Sequence, residues 1–140
     1  MSTDSFQLSI LAPERRLIEN ESVTSVIVTT SEGEVQILPG HADMVAKLET
    51  GRFQYSLPSG KSVSGVISSG FINVENGAVK VVAETVELPN EIDVNRAKEA
   101  QLTAEKMLSD ASLDTQHFNK YQLKLQRAIL RQSVGGTPSN

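Results

Sequence analysis

The sequence predicts a β + α chain: an antiparallel β-sandwich or flattened barrel of eight to ten short strands, then an antiparallel two-helix hairpin. Three observations carry this. Through about residue 88, short alternating or β-branched segments are punctuated by Gly, Pro and Asn turns, with no segment of helical period. At Leu88-Pro89-Asn90-Glu91-Ile92-Asp93 the period changes from two to 3.6. Beyond Asp114 acidic residues cease.

Taken in order, Phe6, Leu8 and Ile10 alternate with Gln7 and Ser9, a half-buried strand that Pro13 ends. Arg16 to Ile18 suits a short returning strand. Val23-Thr24-Ser25-Val26-Ile27-Val28-Thr29-Thr30 is a strand by its β-branched content. Val35-Gln36-Ile37-Leu38 reads as a short buried strand between an acidic turn, Glu32-Gly33-Glu34, and a rigid one, Pro39-Gly40-His41. Met44 to Leu48 is apolar. Phe53, Tyr55 and Leu57 share one face of the next segment. After the Pro58-Ser59-Gly60 turn, Lys61 to Val66 and Gly70 to Val74 read as two further strands. Asn76-Gly77 favours positive φ at both central positions, as a type I′ hairpin needs, and Ala78 to Val86 completes that hairpin.

Asp93 is suited to cap a first helix in which Val94, Ala97, Ala100, Ala104, Met107, Leu108 and Ala111 share a face. Asp114 can cap a second, from about Thr115 to Val134. There Phe118, Tyr121, Leu125, Ala128 and Ile129 form one apolar stripe, and Leu123, Leu130 and Val134 a second. Lys120, Lys124, Arg127 and Arg131 lie between them, within roughly 60° of arc. Two stripes suit either a plainly solvated basic face or a helix with two packing partners. The organisation expected is therefore a sandwich over 1–88, a hairpin over 89–134 and a disordered tail over 135–140.

Composition narrows the function classes. Among 140 residues there is no Cys, which rules out disulfides, thiolate zinc sites and thiol catalysis. No apolar run approaches the roughly 18 residues of a membrane span, and Met1-Ser2-Thr3-Asp4 lacks the layout of a secretory signal, so a soluble cytosolic chain is expected. The net charge of −4 is asymmetric. Residues 1–114 hold all seventeen acids and nine of thirteen bases, a balance of −8, and residues 115–140 hold only the other four bases. That polarity suggests an anionic partner for the last segment. Gly60-Lys61-Ser62 is not a P-loop, because the required glycine is Tyr55. His41 and His117 have no companion metal ligands nearby, and no nucleophile elbow or marked carboxylate pair occurs, so catalysis by this chain alone is not expected. An antiparallel hairpin would draw Asp93 and Arg96 toward Arg127 and Arg131, three guanidiniums beside a helix start. Either this is a phosphate site, with Asp93 accepting from an adenine or ribose group, or Asp93 is a plain cap and the arginines are merely exposed.

Four stretches in order resemble the epsilon subunit family of bacterial-type rotary ATP synthases. They are the Phe6-to-Pro13 strand, Glu32-Gly33-Glu34-Val35-Gln36-Ile37-Leu38-Pro39-Gly40-His41-Ala42, Ser69-Gly70-Phe71-Ile72-Asn73-Val74, and Glu91-Ile92-Asp93-Val94-Asn95-Arg96-Ala97-Lys98. The likeness spans residues 5–134. It implies a ten-stranded sandwich of two five-stranded sheets ahead of the hairpin. It also implies a non-catalytic subunit at the cytoplasmic face of the energy-transducing membrane, peripheral and not inserted. The implied partners are the gamma subunit and the c-subunit ring, with the alpha and beta catalytic subunits added when the hairpin extends; no nucleic acid is implied. Glu32 and Glu34 match the turn facing the ring, His41 a position near gamma, and Lys120 and Lys124 the basic edge that meets the catalytic subunits. The hairpin folded down permits turnover; extended, it blocks ATP hydrolysis. No cofactor is required, but ATP is a regulatory ligand in some members. The matching positions are Glu87, Ile92, Asp93, Arg96, Ala97, Arg127 and Arg131. Thr103 stands where some nucleotide binders have a further arginine. Gln36 and Ser69 stand where glycine is common, and Asn73 where glutamate is. A free-standing β-sandwich adaptor with a protein-binding hairpin is the alternative.

Overall fold

A computed structural model describes residues 4–135, which divide into two compact units, one ending at Glu87 and one beginning at Leu88. The first unit holds β1 (Phe6–Ala12), β2 (Arg15–Val23), β3 (Ser25–Thr30), β4 (Gly33–Ile37), β5 (Met44–Leu48), β6 (Gly51–Ser56), β7 (Ser62–Glu75) and β8 (Ala78–Glu87). The strand order is β2-β1-β8-β7-β5-β3-β4, with β6 joined to both β3 and β7, and the sheet doubles over its own core as a sandwich.

Eight strands appear among the described residues, the lower end of the eight to ten read from the residues, and β7 accounts for one of the two missing from a ten-stranded sandwich. Its first half pairs with β6, from Ser62↔Ser56 to Ile67↔Gly51. Its second half pairs with β5, from Gly70↔Leu48 to Val74↔Met44. One strand of fourteen residues thus serves where two were expected. Residues 67–69 separate the two expected strands, yet the strand continues through them. The buried Ser68 hydroxyl is satisfied by the Thr85 hydroxyl on β8. Gly70 lets the two backbones approach, because a Cβ there would collide with the Val82 carbonyl oxygen. A second departure is that β1 and β8 pair in parallel, Gln7↔Ala78 through Leu11↔Val82. A parallel pair needs a long connection, and nearly the whole unit lies between these strands.

The turns follow their residue chemistry. Asn76 and Gly77 both have positive φ, 51° and 77°, the type I′ requirement, and Glu75 faces Ala78 across the turn. Ser9, expected to face outward, is buried; its hydroxyl accepts from the Asn20 N–H at 3.0 Å, where β1 and β2 slip register. Period-two burial fills the core with Leu8, Ile10, Ile37, Leu48, Phe53, Ile72 and Val81. The Val35-to-Leu38 stretch is less buried than its composition suggests. β4 ends the strand order, so Ile37 is covered while Leu38 stays 50% exposed.

The second unit begins with a 3₁₀ turn, Pro89–Glu91, in which the Glu91 carboxylate accepts from the Leu88 N–H at 2.8 Å. Asp93 then caps α1 (Val94–Leu108) by accepting from the Arg96 N–H at 3.0 Å. Ala97 and Ala104 are buried on α1, and Ala128 and Val134 on α2 (Thr115–Gly135). Ala111 lies beyond α1, and Leu123 is exposed, so neither expected stripe is buried along its whole length. Gly135, expected to start a disordered tail, is the last residue of α2; the rest of that expectation, 136–140, lies outside the described residues.

The link between the helices depends on two carboxylates. Asp110 is held below the usual carboxylate range by the Ser112 hydroxyl and then the Ser112 N–H. Asp114 is held down by the His117 N–H and then its ring, each 2.8 Å away. Both folded values are depressed, so the stabilisation is present above the ordinary value of 3.8 and is lost as pH falls through the folded values. The helical circular dichroism signal should therefore weaken as the pH falls below the ordinary value of 3.8. That step should be blunted in the Asp110→Asn/Asp114→Asn chain, which keeps an acceptor but cannot titrate. Identical acid profiles would refute the role given to the link.

Candidate functional site

Small residues on α1 set the geometry of the hairpin. Ala97, Ala100 and Ala104 recur at helical spacing and cover little of the facing helix. The gap they leave is a groove of about 440 Å³, walled by Ala100, Thr103 and Ala104 on one side and by Tyr121, Lys124, Arg127 and Arg131 on the other. All three cations come from α2, and among the described residues no acidic residue lines the groove. Arg127 Nε is buried and has no hydrogen-bond partner among the described residues. A buried donor without an acceptor is costly, so this site favours an incoming oxygen acceptor. Lys124 Nζ lies 5.2 Å from the centre of the Tyr121 ring, a cation–π contact that holds the ammonium at the groove; Lys120 contacts the same ring at 5.9 Å but does not line the groove. The Gln132 side-chain amide donates to Gln101 Oε1 and ties the helices together. Two guanidiniums and an ammonium lining one slot suit a multiply charged oxyanion.

Of the residues expected to hold nucleotide, Arg127 and Arg131 meet in this groove. Asp93 and Arg96 do not line it; the Asp93 carboxylate is engaged at the α1 cap. Ile92 and Ala97 are buried. A Cβ at Gly135 would lie 2.9 Å from Ile92 Cγ2, so the end of α2 comes close to Ile92. Glu87 closes β8 in the other unit. Sequence reasoning missed Ala100, Ala104 and Tyr121 as lining residues and placed Lys124 in a subunit contact. The spacing of Tyr121, Lys124 and Arg131 on one helix face was the available signal.

The sandwich presents its own turns. Thr30 Oγ accepts from the Glu32 N–H at 3.1 Å and donates to the Gly33 carbonyl at 2.8 Å, which fixes the turn bearing Glu32 and Glu34; Gly33 takes φ 112°. Leu38 to His41 forms a turn closed by His41 N–H to Leu38 carbonyl at 3.1 Å, with Pro39 second and Gly40 at φ 81°, the type II pattern. The His41 ring lies 2.7 Å from the Ala42 carbonyl. Outward on the sheet, Lys47, Phe71, Val82 and Leu11 stand in one register row. Phe71 is 58% and Val82 46% exposed, with Val45 nearby at 72%. Alternation alone could not distinguish this wet apolar face from the core face. No helix among the described residues is long and apolar enough to cross a membrane.

Comparison with known proteins gives two adjoining family matches. Residues 5–89 match the beta-sandwich domain of the ATP synthase delta/epsilon chain, and residues 90–134 match its long alpha-helix domain. The ATP synthase epsilon chain of Halalkalibacterium halodurans is 38% identical over 130 residues, covering 92% of this chain and 96% of that one. That of Syntrophomonas wolfei is also 38% identical, covering 94% of each. Among solved structures, a chain of the Euglena gracilis mitochondrial ATP synthase (OSCP/F1/c-ring) superposes with a TM-score of 0.83 at 24% identity, over 92% of this chain and 80% of that one.

Proposed function

This chain belongs to the ATP synthase delta/epsilon chain family, as an epsilon subunit of the F-type enzyme, and on that premise we propose that it couples the rotor and restrains ATP hydrolysis. The observation that carries this is the family match along 5–134, sandwich and helices together. In this reading the chain catalyses nothing itself and sits peripherally at the cytoplasmic face of the membrane. The fixed turn with Glu32 and Glu34 faces the c-subunit ring, and the turn with His41 lies near gamma. The exposed row around Phe71 and Val82 offers the apolar area that a lasting contact with gamma would bury. The short β4 between the two turns gives a stiff link through which torque can pass.

The hairpin is the regulatory part. Closed, it permits turnover; extended, it carries Lys120, Lys124, Arg127 and Arg131 toward acidic surfaces of the alpha and beta subunits. ATP held in the groove stabilises the closed state, because only that state brings the two walls together. The test is ATP hydrolysis by the reconstituted complex with the full chain or with a chain ending at Glu87. The truncated chain should co-purify with gamma and raise hydrolysis at least twofold. Equal rates would overturn the regulatory reading, and failure of either chain to co-purify with gamma would favour the free-standing adaptor.

A further inference from the structure

We propose that Asn76 is a site of spontaneous covalent modification, conversion through a cyclic imide to aspartate and isoaspartate, and that Asp43 holds the reaction back. Of the asparagines in the chain, only Asn76 is followed by glycine, whose lack of a side chain leaves its amide nitrogen open to the preceding carboxamide. The fold sets this pair in an exposed two-residue turn. The ladder bonds of such a turn belong to Glu75 and Ala78. Among the described residues neither the Gly77 N–H nor the Asn76 carboxamide has a hydrogen-bond partner. Two contacts brace the turn from outside. Asp43 Oδ1 accepts from the Asn76 N–H at 3.2 Å, and the Gln7 N–H donates to the Gly77 carbonyl at 3.4 Å.

In the reaction the Gly77 nitrogen attacks Asn76 Cγ. The new C–N bond closes the imide, the Cγ–Nδ2 bond breaks, and the amide proton leaves with Nδ2 as ammonia. Water then opens the ring. Attack at Cγ gives aspartate; attack at the Asn76 main-chain carbonyl gives isoaspartate, whose backbone runs through the side chain and is longer by a methylene. A type I′ turn fixes the Asn76 ψ, so the Gly77 nitrogen reaches Cγ only after the turn opens. The Asp43 bond opposes that opening, and its negative charge disfavours the anion that forms on the Gly77 nitrogen. The two products differ in their effect on the fold. Aspartate before glycine suits the same turn. Isoaspartate does not, because the added methylene breaks the Glu75↔Ala78 register and draws the Gly77 carbonyl away from Gln7.

Peptide mapping of the full chain, stored at physiological temperature and mildly alkaline pH, tests this by following isoaspartate and the gain of about one mass unit. Both products should form at Asn76 ahead of every other asparagine. The folded chain should react about ten- to a hundredfold more slowly than the same chain in denaturant. Asp43→Ala should raise the folded rate about two- to tenfold, the worth of one hydrogen bond. Asp43→Asn, which keeps an acceptor without the charge, should fall between. Chain aged until isoaspartate accumulates should melt below fresh chain, whereas Asn76→Asp, which carries the normal linkage, should melt close to it. A folded rate more than about a hundredfold below the denatured one would confine the reaction to unfolded chain and overturn the site. An unchanged or slower rate in Asp43→Ala would leave Asn76 as the site and remove Asp43 as its guard.

Discussion

Gly70→Ala should cost the sandwich about 3 kcal/mol, at the upper end of what overpacking imposes. A Cβ at Gly70 collides with the Val82 carbonyl oxygen and lies 2.8 Å from Ala83 Cα. Both are backbone atoms of β8, so no change of rotamer can relieve the clash. Relief requires β7 and β8 to part across Gly70↔Ala83 and Phe71↔Val82, in the middle of their ladder. β8 cannot retreat freely, because its other edge pairs with β1 through Val82↔Leu11. For a unit of this size the loss corresponds to a fall in Tm of roughly 12–24 °C. Thermal melting of the purified chain, followed through its β signal, measures it. A fall of less than about 4 °C would mean that the strands separate at this point without losing their pairing.

This glycine also marks the limit of what the sequence makes legible. Local signals were read well: the period-two burial of Arg52 to Ser56, the Asn76-Gly77 turn and the Asp93 cap are each set by a few neighbouring residues. The continuity of β7 is not local. Ser68-Ser69-Gly70 has turn chemistry, and only the Thr85 hydroxyl and the Val82 carbonyl, both on β8, turn it into strand. The parallel pairing of β1 with β8 joins the two ends of the unit and leaves no pattern in either segment. Leu38 belongs to an apolar run that reads as buried, but an edge strand covers only part of it.

The hairpin divides in the same way. An acid-free basic edge on the second helix is a property of one helix, and Arg127 and Arg131 could be named from it. Which residues of α1 they face depends on the register between the helices, and a link of unknown geometry does not fix that. The groove forms opposite Ala100, Thr103 and Ala104, a turn or more beyond Arg96, so Lys124 and Tyr121 join the arginines and Asp93 does not.

That register makes the alanine seam the place to bias the hairpin. Ala104 and Ala128 are each 1% exposed. Ala128 lies outside the groove lining, so leucine there adds volume where the closed hairpin has none to spare, at a cost of about 1–3 kcal/mol. In the proposed extended state α1 and α2 no longer pack on each other, so that state escapes the cost. The difference multiplies the extended population by about 5–150-fold. Ala128→Leu should therefore lower ATP hydrolysis by the reconstituted complex and weaken ATP binding by the isolated chain. Ala128→Ser, close to alanine in volume, should leave hydrolysis near the starting rate and serves as the control. If the leucine chain instead hydrolysed ATP faster, the closed hairpin would be the inhibitory form and the assignment of the two states would have to be reversed. If hydrolysis did not change while the isolated hairpin melted earlier, its opening would have no part in control of the motor.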